Sequence, residues 1–137
     1  MDMTLNYTGG MQFIAKTGNH EITIDLPPTY NGQDTGPAPG DLFAAALGSC
    51  VGMYTLMYLK GQSLPTEGLR IDVDWEEKSS PARIDSLHVN ISLPDGITPE
   101  QARKALKFAE ACKIHNTLIH KPEVCVSIAE KPEACLP

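Results

Sequence analysis

The sequence predicts an antiparallel α+β fold with the element order βββ-α-ββ-α-β. Three observations carry that expectation: stretches of period-two alternation come in runs joined by turn residues, two segments show the three-and-four spacing of helices, and strands and helices are segregated rather than alternating one by one. A chain of 137 residues can bury roughly two thirds of its unfolded surface, so one domain spanning residues 1–137 is expected.

The N-terminal stretch "TLNYTGGMQFIAKTGNHEITID" reads as three short strands, because Gly9-Gly10 and Gly18-Asn19 suit the positive φ angles of tight hairpin turns. Residues 26–40, "LPPTYNGQDTGPAPG", hold four prolines and three glycines and form a loop of unusual length. A long helix follows in "DLFAAALGSCVGMYTLMYLKG", with Pro39 in its first turn, Asp41 at the positive end of its dipole and Gly61 as the left-handed residue that closes it. "GLRIDVDWEE" alternates Leu69, Ile71, Val73 and Trp75 against charged neighbours, "LHVNISL" repeats the pattern, and "EKSSPA" joins the two as a hairpin. In "TPEQARKALKFAEAC" Thr98 is the N-cap of a second helix, Pro99 its first residue and Gln101 the partner that completes a capping box. A last strand is expected in "EVCVSIAE", with Val124, Val126 and Ile128 on one side.

Composition narrows the function. Seventeen acidic against eleven basic side chains give a net charge of −6, which removes the attraction to phosphate backbones, so no nucleic-acid partner is expected. The N-terminus shows no basic segment followed by an apolar run, which points to the cytoplasm. In that reducing compartment the four cysteines, at 50, 112, 125 and 135, are expected to be free, catalytic or metal-binding rather than structural disulfides. Cys112, His115, His120 and Cys125 do not have a spacing that recurs in structural zinc sites, so no metal and no other cofactor is expected. Cys125 and Cys135 read as incidental, and His115 as a helix-end residue that satisfies carbonyls.

The long helix poses the main question. Its eighteen consecutive uncharged residues, 42–59, reach the lower edge of a membrane span. Half of them are Ala, Gly, Ser, Cys or Tyr, and the neighbouring strands have the pattern of a soluble protein, so no membrane association is expected. A helix apolar on all sides is otherwise buried on all sides. A chain with two helices achieves this by dimerising, and the ridge of Ala44, Gly48 and Gly52 would let another helix approach closely. Helical spacing sets Phe43, Ala46, Leu47, Cys50, Tyr54 and Met57 on one face, and Ala102, Ala105, Leu106, Ala109 and Cys112 on the apolar stripe of the second helix. If those faces meet, the two sulfurs are neighbours. Such thiols are either inert packing groups or a functional pair, and spacing alone leaves both open.

Two longer motifs decide more. "GPAPGDLFAAALGSCVGMYT" and "CKIHNTLIHKPEVCVSI" resemble the two signature segments of the OsmC/Ohr family, P-x-E-L-L-x-A-A-L-x-x-C and C-P-x-x-N-T-L-x-x-x-P-x-V, with the strand-strand-helix between them in the expected order. The resemblance implies an intertwined homodimer, in which antiparallel sheets wrap around two central helices, with sites at the dimer interface. It also implies reduction of organic hydroperoxides, Cys50 standing at the position of the peroxide-attacking thiol and Cys112 at that of the resolving thiol. Peroxidatic members carry an arginine on the N-terminal strands and a glutamate on the first turn of the central helix. This chain has arginine only at 70, 83 and 103, with Lys16 the cationic candidate on those strands, and Gly40 followed by Asp41 at the first turn.

The reading that results is a cytoplasmic, OsmC-like, thiol-dependent peroxidase with Cys50, Cys112 and Asp41 as site residues. Its partners are a second copy of the chain, a small hydrophobic hydroperoxide and an external dithiol reductant. The competing reading is a dimeric redox-sensing or small hydrophobic ligand-binding module with little peroxidase turnover.

Overall fold

The computed structural model describes residues 2–128. Strands β1 (Thr4–Gly9), β2 (Gln12–Thr17) and β3 (His20–Ile24) form an antiparallel meander. Both expected turns are present: Gly9 and Gly10 have φ of 121° and 56°, and Gly18 has φ of 55°. The register puts Tyr7 opposite Phe13 and Leu5 opposite Ala15, then Phe13 opposite Ile24 and Ala15 opposite Ile22. All six residues therefore share one face, and Tyr7 meets Phe13 edge to face with ring centroids 5.8 Å apart. Leu5, Tyr7, Phe13 and Ile22 on this apolar face remain exposed in the protomer.

The proline-rich stretch is ordered by one carboxylate. Asp25 is buried and accepts hydrogen bonds from the backbone N–H of Leu26 (2.8 Å), Gln33 (3.1 Å) and Thr35 (3.2 Å) and from the Thr35 hydroxyl (2.8 Å). A short 3-10 turn, Pro28–Tyr30, lies within the loop this creates. The loop packs so closely on itself that a Cβ at Gly32 would stand 1.7 Å from the Leu26 carbonyl oxygen.

Helix α1 runs from Pro39 to Gly61. It closes differently from expectation: Gly61 is its last helical residue, and the left-handed position falls on Ser63 at φ 53°. Ser63 N–H donates to the Lys60 carbonyl at 3.0 Å and Leu64 N–H to that of Leu59 at 2.9 Å, the paired bonds of a Schellman ending. Strands β4 (Arg70–Ser79) and β5 (Ala82–Ser92) form a hairpin whose half-buried face pairs Ile71 with Ile91, Val73 with Val89 and Trp75 with Leu87, as the alternation predicts.

The small-residue ridge of α1 has another partner than the expected second helix. A Cβ at Gly48 would lie 2.6 Å from Val73 Cγ2, and one at Gly52 3.0 Å from Ile71 Cγ1. The ridge thus admits side chains of β4, and α1 lies against the hairpin with Gly48 facing Val73 and Gly52 facing Ile71. The predicted helix face also divides: Leu47 is buried and Cys50 and Tyr54 are half-buried, while Phe43 and Met57 are exposed along with Met53.

Helix α2 (Pro99–Glu110) starts as expected, with Thr98 Oγ1 accepting from Gln101 N–H and Gln101 Oε1 accepting from Thr98 N–H. It stops before Cys112, and a third helix, α3 (Lys113–Ile119), follows at once. The last expected strand does not form: residues 121–127 have no regular structure and only Ile128 makes an isolated bridge. Val124, Val126 and Ile128 are exposed, Val126 at 91%. The remainder of that stretch, and Cys135, lie outside the described residues.

Candidate functional site

The change of direction between α2 and α3 places the second thiol. Cys112 leaves the helical conformation, with φ −64° and ψ 147°, and becomes the N-cap of α3, its Sγ accepting the His115 backbone N–H at 3.3 Å. This corrects its expected place on the stripe of α2. Two side chains of α3 take up the last carbonyls of α2: His115 Nδ1 lies 2.6 Å from the Glu110 oxygen and Asn116 Nδ2 donates to the Ala111 oxygen at 3.1 Å. His115 thus satisfies a carbonyl, as its position suggested. Asn116 ties the preceding helix to this one.

Turned inward in this way, Cys112 is 0% exposed in a cluster with Leu47, Val51 and Ala109. Cys50, at mid-height on α1, packs against the same cluster with Tyr54, Leu87, Val89 and Ile91. The two thiols are free and interact with each other. Burial, the largest cause, pushes the Cys112 thiol above its ordinary range, and the neighbouring Cys50 sulfur raises it further. The backbone N–H groups of His115 and Ile114 act in the opposite direction but do not reverse the shift.

Beside the pair lies a cavity of about 220 Å³. Its walls are Leu47 and Val51 from α1, Leu87, Val89 and Ile91 from β5, and Leu106 and Ala109 from α2, and Glu110 and His115 also line it. A second cavity of about 310 Å³ shares Val89, Ile91 and Leu106 and extends along α2 past Ala102 and Ala105. The site combines an apolar recess with a very small number of polar groups, the usual make-up of a small-molecule pocket.

Asp41 is elsewhere. It is exposed at the start of α1, where its carboxylate accepts the Ala38 N–H at 2.8 Å. Nine residues separate it from Cys50, roughly 13 Å along the helix axis. Three of the four named cations are engaged elsewhere: Lys16 pairs with Glu21 at 2.6 Å on the polar face of the meander, Arg70 with Asp72 at 2.6 Å and Arg83 with Asp85 at 2.7 Å. Alternation marked Leu87, Val89 and Ile91 as sheet core, and nothing local distinguishes a core valine from one that walls a cavity. Only the placement of β5 across the cavity from α2 does so.

Comparison with known proteins follows the same lines. The sequence model described as OsmC-like protein matches residues 32–127, which include α1, both thiols and the hairpin between them. No curated protein matches the chain. Among solved structures, a Psychrobacter arcticus protein superposes with a TM-score of 0.77 at 20% identity, covering 84% of this chain and 85% of its own. An OsmC-like protein from Mycoplasma pneumoniae follows at 0.72 and 19%, covering 88% and 87%. The organic hydroperoxide resistance protein OhrB of Bacillus subtilis reaches 0.59 at 21%, covering 88% and 93%. At such identities these structures share the fold, and the motif-bearing match over residues 32–127 carries the assignment. The chain belongs to the OsmC-like protein family.

Proposed function

We propose that the protein is a thiol-dependent peroxidase that reduces organic hydroperoxides through Cys50 and Cys112, acting as a homodimer in a reducing, cytoplasmic setting. The observation that carries this reading is the contact of two free thiols from different elements beside an apolar cavity. The half-buried Cys50 attacks: its thiolate displaces alkoxide from the O–O bond, giving a sulfenic acid and, with a proton, the alcohol. Cys112 retains its proton, since its pKa is raised. It then condenses with the sulfenic acid, releasing water and leaving a disulfide. A dithiol reductant resets the pair by exchange and is itself oxidised. The apolar walls select hydrophobic hydroperoxides. The organic hydroperoxide resistance proteins that share this fold agree with such a role.

The dimer belongs to the same reading. Three apolar surfaces are exposed among the described residues of one protomer: the face of the meander, the Phe43–Met53–Met57 side of α1 and the segment around Val126. A second copy would cover all three. Asp41 would then serve α1 as its capping acid and the site only through that helix.

One observation favours the alternative of a redox-sensing or ligand-binding dimer: Lys16, Arg70 and Arg83 are paired away from the thiols. The deciding assay is dithiol-dependent reduction of cumene hydroperoxide by wild type and by Cys50→Ser. Turnover in the wild type and none in the variant is the expected result. Equal rates would establish the binding module instead.

A further inference from the structure

The two cavities between β5 and α2 adjoin at Val89, Ile91 and Leu106 and so form one groove with a direction. As β5 advances from Leu87 in the smaller compartment to Leu93 in the larger, the facing residues of α2 step back from Ala109 to Ala102. The end at Ala109 is the one beside the thiols, since Ala109 belongs to the cluster that holds Cys112 and against which Cys50 packs. Ala102 lies seven residues earlier, roughly 10 Å along the helix axis.

We propose that Leu106 sets the specificity of the site: it closes off the compartment beside the thiols, so that a hydroperoxide with a compact tail is accepted ahead of one with a long straight chain. This rests on the peroxidase reading for its biological use but not for its test. Of the α2 residues that line the groove, Leu106 alone is large and apolar, and its apolar neighbours there are alanines. It stands where the compartments adjoin. The shared wall on β5 is stiff, because Val89 and Ile91 are β-branched and are paired with Val73 and Ile71 of β4. Leu106 is 51% exposed, so its replacement leaves no hole in the core. Volume agrees with a compact tail. An apolar cavity of roughly 150 Å³ takes up benzene, and the compartment beside the thiols, at about 220 Å³, has room for a phenyl ring with a few further carbons. The far compartment, about 310 Å³, is reached from the thiol end only past Leu106 and its partners on β5.

The test reads binding, with full-length protein and alcohols, the class of product such a reduction releases. Dissociation constants are measured by ligand-observed NMR for straight-chain alcohols from butanol to decanol and for cumyl alcohol as the compact reference. Each methylene that enters an apolar site tightens binding about fourfold. In wild type this gain is expected to stop partway along the series. In Leu106→Ala it should continue to decanol, raising the affinity for decanol relative to cumyl alcohol by about tenfold or more. Adding Ala102→Leu, which refills the far compartment, should restore the wild-type profile. Coinciding profiles for wild type and Leu106→Ala overturn the assignment, as does a long-chain gain that survives Ala102→Leu. A wild type that gains steadily to decanol overturns it too, and so does one that binds none of the alcohols, as it would if a second copy of the chain filled the groove. Binding profiles that move as expected without any hydroperoxide turnover would sink the peroxidase reading and leave Leu106 as the selector of ligands for a binding module.

Discussion

A single carboxylate organises the approach to the central helix. Asp25 gathers four donors from the loop that leads to α1, and the Thr35 hydroxyl, followed by the N–H groups of Leu26, Thr35 and Gln33, holds its carboxyl below the ordinary range in spite of burial. A folded-state pKa lowered in this way adds stability that is present above the unfolded value and lost as pH falls through the lower folded value. Asp25→Asn should therefore unfold at a lower temperature than wild type at neutral pH, and the difference should shrink in acid below pH about 4, where the wild-type carboxylate also becomes protonated. Melting curves across pH 2–7, monitored by circular dichroism, check this. None of that role was legible in the sequence, which shows only an aspartate ahead of two prolines. That Cys50 and Cys112 are neighbours was legible from the facing apolar stripes, although spacing put Cys112 on the stripe of α2 rather than at the N-cap of α3. Asp41 illustrates the limit of position as a guide: its carboxylate is occupied with the first turn of α1 and lies far along the helix from the thiols.

Among the elements, α1 depends most on what is missing from it. Gly48 lets Val73 rest on the helix backbone, so a methyl group there meets Val73 Cγ2 at 2.6 Å. Alanine in place of glycine gains about 1 kcal/mol in helix propensity, whereas overpacking costs about 1–3 kcal/mol, and the second effect should win because a valine methyl cannot swing away freely. Gly48→Ala should be destabilised in urea unfolding, and adding Val73→Ala should recover much of the loss, giving a favourable coupling in the double-mutant cycle. The ridge itself was visible as small residues four apart, but spacing does not say whether a helix or a strand will occupy it. Cap chemistry was more informative. Thr98, Pro99 and Gln101 marked the start of α2 correctly, and the end of α2 went unread because Ala111 and Cys112 carry no stop signal of their own. The expected final strand was a sound reading of "EVCVSIAE" as a pattern. A strand also needs an edge, and that edge is not a local property.

Across the whole molecule, the α+β architecture followed from segregated periodicities, while several apolar surfaces of the described residues stay exposed in the protomer. Helix α1 is long and apolar enough for a membrane span, yet only 33% of its most hydrophobic window is buried within the protomer. Together with the open meander face, this predicts a dimer in solution. Met53→Glu places a charge at a position that is 63% exposed in the protomer, and it should shift sedimentation from dimer to monomer and abolish turnover. A wild type that sediments as a monomer would contradict that assembly. The central claim is that two sulfurs from different elements form one redox pair. The direct test is to oxidise the reduced protein with one equivalent of cumene hydroperoxide and map its disulfides by peptide mass spectrometry. A Cys50–Cys112 disulfide that forms in wild type, and is replaced by a trappable Cys50 sulfenic acid in Cys112→Ser, is the predicted result. A wild-type protein in which both thiols stay reduced, or in which Cys50 is over-oxidised with Cys112 untouched, would contradict the account.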